Sequence, residues 1–251
     1  MQRNTSWQKV GTWYNKLVDE KGHYYHQKVI IPEVLKLLSL KPDDSLLDIA
    51  CGQGILARSI PKEVYYQGID SAASLIEAAR KLDKNLSHHY SQSDATQPFP
   101  FKKRDFSHAA IILALQNIEN VQAVLQNTAQ HLRPKAKLAM VLNHPMFRIP
   151  RQSSWGIDEQ NKLQYRKINR YMSPLKIPIT MHPGKNSSRL TWSFHHPLWE
   201  YSKFLKTTGF VIELIEEWTS DKESVGSAAK MENRGRAEIP LFMAIAAIKT
   251  H

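Results

Sequence analysis

The sequence predicts an α/β fold built on a mostly parallel, seven-stranded sheet with helices on both faces, and three observations carry that prediction. Apolar runs of strand length alternate with segments of helical period from residue 45 to residue 142, the order that calls for parallel strands joined by crossover helices. A glycine-containing loop, Asp48-Ile-Ala-Cys51-Gly52-Gln53-Gly54, follows the first of these runs, where an open parallel sheet places its ligands. Two more apolar runs, residues 210–218 and 239–248, come after a stretch of different texture.

Taken in order, Trp7, Val10, Tyr14, Leu17 and Val18 recur at helical spacing, and a second helical run with Val34, Leu35, Leu37 and Leu38 lies between Pro32 and Pro42. Ser45 to Ala50 reads as a buried strand and Val64 to Ile69 as the next; Ala72, Leu75, Ile76, Ala79 and Leu82 form one helical face. His88 to Ser91 is a weaker strand and Phe106 to Leu115 a strong one. Val121, Val124, Leu125, Thr128 and Leu132 define a helix that Arg133-Pro134 ends, ahead of a strand at Lys137 to Leu142. A helix spans Pro197 to Thr207 and stops at Gly209; the charged stretch between the last two strands reads as a link.

Composition sets the outer limits. With 42% hydrophobic residues the chain has enough apolar side chain to fold. One cysteine, Cys51, excludes a disulfide framework and a cysteine-built metal site. The start lacks the apolar core of a secretory signal and no stretch reaches membrane-spanning length, so a cytoplasmic chain is expected. The net charge of +11 is uneven: residues 1–143 hold 18 basic and 13 acidic side chains, residues 144–206 hold 11 and 3, and residues 207–251 hold 5 and 7. The middle segment also carries His144, His182, His195, His196, Trp155, Trp192, Trp199 and several prolines, which marks it as an insertion or lid. One domain is expected: 1–143 as N-terminal helices and cofactor half, 144–206 as a substrate-binding insertion, 207–251 completing the sheet.

Chemistry gathers at strand ends. Glycine lets the 52–54 turn approach a ligand closely. Asp70 follows Gly52 by 18 residues at the end of the second strand, where an acid in this architecture accepts hydrogen bonds from ribose hydroxyls. Asp94 follows the third strand. Each acid alone reads equally well as a turn former; three at successive strand ends do not.

These residues resemble the class I S-adenosylmethionine-dependent methyltransferases, with a Rossmann-like sheet whose last strand runs antiparallel. Leu46-Leu-Asp48-Ile-Ala50-Cys51-Gly52-Gln53-Gly54 looks like the family's first motif, Gly68-Ile69-Asp70-Ser71 its second and Ser93-Asp94-Ala95 its third; Leu115-Gln116-Asn117-Ile118 and His131 to Pro134 match the segments around the fourth and fifth strands. Lys135 and Ala136 stand where the family has a glycine after that proline. The resemblance implies S-adenosylmethionine as cofactor: Gly52 and Gly54 beside its methionine part with Ala50, Asp48 at its amino group, Asp70 and Ser71 at the ribose, Asp94 and Ala95 at the adenine, and Leu115 and Gln116 after the fourth strand. A dinucleotide oxidoreductase would want a third glycine where Ala57 is the closest small residue. The cluster Gly22 to His26 reads either as an aromatic helix face packed on the domain or, as the resemblance implies, as a segment whose His23, Tyr24 or His26 meets the cofactor's carboxylate or the acceptor, with His23 and Tyr24 taken as ligands.

For the acceptor, His144 after the fifth strand is the leading candidate for a general base, followed by His195, although His144 reads equally well as a histidine satisfied in a turn before Pro145. The only cysteine lies in the cofactor loop, which disfavours cysteine-assisted pyrimidine methylation. No Asn/Asp-Pro-Pro-aromatic stretch suggests an adenine amine, and no carboxylate cluster suggests a metal. A small anionic or amphipathic molecule fits, walled by Phe147, Trp155, Tyr165, Tyr171 and Trp192 and paired with Arg148, Arg151, Arg166 or Arg170. RNA, held by the same arginines and aromatics, is the alternative, and a cofactor-binding regulatory protein without catalysis is a further one.

Overall fold

A computed structural model describes residues 23–180 and 190–251. The helix expected over Trp7 to Val18 lies outside the described residues, as does His182. Among the described residues a π turn, His26–Ile30, runs into α1, Ile31–Leu38. The main sheet follows with β1 (Ser45–Ile49), β2 (Tyr65–Asp70), α2 (Ala73–Leu82), β3 (His89–Gln92), β4 (Phe106–Ile112), α3 (Val121–His131) and β5 (Leu132–Asn143). Between this half and α4 (Leu198–Thr207) lie β6 (Ser153–Asp158), β7 (Leu163–Ile168), β8 (Leu175–Thr180) and β9 (Leu190–His195). The chain closes with β10 (Phe210–Trp218), α5 (Ala229–Glu238) and β11 (Phe242–Lys249).

Seven strands form one sheet in the order β10-β11-β5-β4-β1-β2-β3. The pairs β1/β2, β1/β4, β2/β3 and β4/β5 are parallel, while β11 is antiparallel to both neighbours. The seven-stranded, mostly parallel sheet with its last strand reversed is the fold read from the sequence. Period-two alternation builds its two cores. Leu47, Ile49, Ala109, Ile111, Leu138 and Met140 face α3 and α4 through Val124, Leu125, Tyr201 and Leu205. Leu46, Tyr66, Ala110, Ala139 and Val141 face the other way, onto Ile30, Val34, Leu38, Ile76 and Ala79. Strand order reverses at β1, so the loops leaving β1 and β4 part and leave a cleft at their carboxyl ends.

Three local differences from the sequence reading have physical causes. The turn expected at His131 to Pro134 is a bulge inside β5: pairing jumps from Phe106↔Leu132 to His108↔Lys137, with Lys135 at φ 62°. The charged link between the last two strands contains α5, which has no apolar stripe to announce it; its one buried residue is Gly235, packed under Gln164 and Trp155 of the β6–β7 ribbon. The basic segment folds as two antiparallel ribbons, β6–β7 and β8–β9, each separate from the main sheet.

Candidate active site

The loop after β1 is shaped by backbone geometry. Ala50, Gly52 and Gly54 all lie at positive φ, 55°, 57° and 73°, and the left-handed conformation at Ala50 costs about 1 kcal/mol. Hydrogen bonds from Cys51 N to Ile69 O (2.9 Å) and from Gly54 N to Cys51 O (3.0 Å) hold the turn. A Cβ on Gly52 would meet nothing within 4 Å, so this turn faces open space, whereas one on Gly54 would lie 2.8 Å from the Tyr90 hydroxyl. That hydroxyl is pinned by its 2.5 Å bond to Asp83, which His88 also engages. Gly54→Ala therefore combines left-handed strain with a clash that Tyr90 cannot relieve freely; a loss of about 2 kcal/mol in unfolding free energy is expected, measurable by urea denaturation.

The acids at the strand ends occupy different environments. Asp70 is buried, and its carboxylate accepts from Gly52 N (3.0 Å) and Ala72 N (2.9 Å); burial raises its pKa against the pull of these two bonds. It thus ties the first motif's loop to the start of α2. Asp48 is also buried and accepts from the Tyr66 hydroxyl at 2.7 Å. Burial pushes its pKa up to about 7, against the Tyr66 bond and with the charge of Asp70 adding to the rise. Asp94 is exposed and closes a turn by accepting from Thr96 N and Oγ1 at 2.9 and 2.8 Å. Ser71 O accepts from Gln92, and Ala95 is buried with its carbonyl bonded to Asn127. Leu115 is a fully buried core residue, so its side chain serves packing. Gln116 donates to Leu113 O at 2.8 Å while its Oε1 is buried with no partner.

A recess of about 50 Å³ opens above the first loop, lined by His26, Ile31, Asp48, Ala50, Gly52 and Leu56 among others. A larger surface depression of about 410 Å³ lies between α3 and the end of β11, around Gln126, Thr208 and Lys249. Lys249 pairs with Phe210, at the amino end of the parallel strands, so that depression is remote from the acids. His23 and Tyr24 are exposed and do not line the recess; Tyr24 bonds Asp221 at 2.9 Å, and Lys222 sits over its ring. The π turn instead delivers His26, three residues on from His23, and a one-dimensional reading could not distinguish the two without the turn's register.

The candidate bases are also occupied. His144 is buried, with Nε2 2.6 Å from Glu217 Oε1 and Nδ1 accepting from Met146 N (3.2 Å) and Phe147 N (3.3 Å). His195 is buried with Nε2 on Tyr171 O at 2.7 Å. Burial lowers both pKa values, in each case against the hydrogen bond that raises it. The geometry makes His144 an anchor between β5 and β10, with no lone pair left for an acceptor's proton, and ties His195 to the chain before β8. Neither is placed as the free base the sequence suggested.

Of the basic residues, Arg166 is built in: Nε donates to Phe147 O at 2.6 Å, Nη2 to Ser153 Oγ at 2.9 Å, and the guanidinium lies 5.2 Å from the Trp155 ring centroid. Arg148 forms no ion pair among the described residues; it is exposed, although partial burial lowers its pKa. Its charge in turn lowers the pKa of Arg166, after burial, and Tyr25 is its other electrostatic neighbour. Arg151 is exposed on a positive-φ turn, and the Tyr171 hydroxyl accepts from Leu198 N, capping α4. The structure thus brings Arg148 and Arg166 together and leaves Arg151 and Tyr171 in other roles.

A methyltransferase-domain family model matches residues 46–135. A 2-phytyl-1,4-naphtoquinone methyltransferase of Nostoc sp. is 28% identical over 164 residues, covering 56% of this chain and 67% of its own. An S-adenosylmethionine-dependent methyltransferase from Mesorhizobium loti superposes with TM-score 0.67 at 21% identity, over 87% of this chain and 96% of its own. A protein of Listeria monocytogenes described in the same terms gives 0.70 at 19%, over 88% and 98%. The residues present fit the cofactor: Gly52 leaves open the space a Cβ would enter, Asp70 keeps lone pairs beyond its two amide bonds, and Asp48 is a buried acid facing no cation. The chain carries a methyltransferase domain over residues 46–135 and has the fold of S-adenosylmethionine-dependent methyltransferases; it is an enzyme of that kind, with S-adenosylmethionine as its cofactor.

Proposed function

We propose that this methyltransferase acts on a small amphipathic molecule carrying an anionic group, and methylates an oxygen or nitrogen nucleophile of it. Arg148 carries the reading: an exposed guanidinium, with a second guanidinium beside it and no carboxylate paired to it among the described residues, selects a negative ligand. The name of the Nostoc relative, a naphthoquinone with a phytyl chain, supports an amphipathic acceptor. Residues 144–206 serve as its binding segment. Tyr25, whose ring packs edge-on against Phe242 at 5.6 Å, is the electrostatic neighbour of Arg148 and adjoins His26 of the recess, so cofactor and acceptor meet there.

S-adenosylmethionine supplies an electrophilic methyl group on a sulfonium. The chain's own contribution is alignment and exclusion of water. Asp48, Gly52 and Asp70 fix the cofactor end, and the arginine pair fixes the acceptor's charge. His144 and Glu217 lock the end of β5, from which Phe147 and Arg148 emerge. An acceptor ionised at neutral pH needs no base in this arrangement.

Incubation of the protein with methyl-labelled cofactor and a fractionated extract tests the reading. Label is expected in a solvent-extractable fraction insensitive to nuclease; label released by ribonuclease would establish RNA as the acceptor. With an acceptor in hand, Arg148→Gln is expected to lower kcat/KM about 30-fold, the loss of one charge-assisted contact, with the affinity for S-adenosylhomocysteine unchanged.

A further inference from the structure

Among the polar groups around the cofactor recess, one side-chain nitrogen is without a role. His26 lines the recess together with Asp48 and Gly52, and its Nδ1 is buried with no hydrogen-bond partner among the described residues. Buried ring nitrogens are ordinarily satisfied, so an orphan nitrogen on a residue that lines a recess points to a ligand. Burial lowers the pKa of His26 to about 4, with the charge of His23 adding to the fall. The imidazole is therefore neutral at pH 7 and offers a lone pair rather than a positive charge.

What can sit against it is decided by the other wall. The Asp48 carboxyl spends one oxygen on the Tyr66 hydroxyl and repels any anionic group brought into the same recess. A group bearing several N–H donors and a positive charge satisfies both walls at once, which describes a primary ammonium. We infer that His26 is a cofactor ligand whose Nδ1 accepts a hydrogen bond from the ammonium of the cofactor's amino-acid moiety, opposite Asp48. This rests on the assignment of S-adenosylmethionine to the recess. Tyr24 and Tyr25 hold the segment in place through Asp221 (2.9 Å) and Ser220 (3.0 Å), so the ligand is presented by a strap fastened to the loop after β10.

The test compares two probes by calorimetry at pH 8. S-Adenosylhomocysteine has the amino-acid moiety; 5′-methylthioadenosine has the same nucleoside without it. His26→Leu is expected to weaken the first about tenfold and leave the second unchanged. His26→Asn, whose amide reproduces the Nδ1 position, is expected to recover affinity to within about threefold of the original. Equal losses for both probes would reduce His26 to a packing residue, and an unchanged affinity for S-adenosylhomocysteine would remove it from the site; either result overturns the inference. A wild-type protein that binds neither probe would instead refute the placement of the cofactor in this recess. Retained binding of 5′-methylthioadenosine certifies that the variants are folded.

Discussion

Asp70→Ala weakens S-adenosylhomocysteine binding about a hundredfold in the expected titration, close to 3 kcal/mol. The size follows from the dual position of this carboxylate. It holds Gly52 N and Ala72 N at 3.0 and 2.9 Å, so its removal leaves two amides of the first loop and the α2 entry without their acceptor. Hydrogen bonds to a charged acceptor contribute about 1.5–3 kcal/mol each, and in the proposed arrangement the ribose diol loses its partner in the same step. Asp70→Asn keeps an acceptor oxygen, so its loss is expected to be smaller, about tenfold. If Asp70→Ala binds as tightly as wild type, the cofactor does not lie along β2.

The second large effect is a pH dependence. Asp48 must be ionised to hold a cation, and its pKa stands at about 7 in the free protein. Cofactor affinity is therefore expected to fall about tenfold between pH 8 and pH 6, because protonation removes the carboxylate that binding requires. The stability of the free protein moves the other way. A carboxyl whose folded pKa lies above its usual value contributes stability that is complete below about 4 and is lost as the pH rises through 7. Thermal melts of the free protein should then gain from Asp48 on acidification from pH 8 to 6 while calorimetric affinity drops. Asp48→Asn is expected to flatten both profiles. An affinity slope that survives this substitution would assign the titration to another group.

Much of this molecule was legible in one dimension because its signals are local. The strand runs at Leu46 to Ile49 and Phe106 to Ile112 are mostly apolar and send buried side chains to both faces, as burial between two helical layers requires. The glycines of the first loop and the acid 18 residues later follow from the geometry of a parallel strand pair, in which Asp48 and Gly68 sit side by side. Other features were silent for equally physical reasons. α5 has no apolar stripe, since it is held by a glycine contact with a ribbon about 70–80 residues earlier in the chain. The β6–β7 ribbon buries little, so its strands lack the apolar runs of the main sheet.

The histidines show the division most clearly. The sequence by itself determined the sheet, the loop after β1 and the acids Asp48, Asp70 and Asp94 at successive strand ends, because periodicity and chain spacing bind each of these to its neighbours. Only the tertiary structure decided that His144 is consumed by Glu217, 73 residues away, that His195 is consumed by the Tyr171 carbonyl, and that His26 is left with an orphan nitrogen beside Asp48. A side chain's type and spacing say what it can bind, but whether its lone pair is free depends on partners brought from distant elements by packing, and those partners exist only once the sheet has closed.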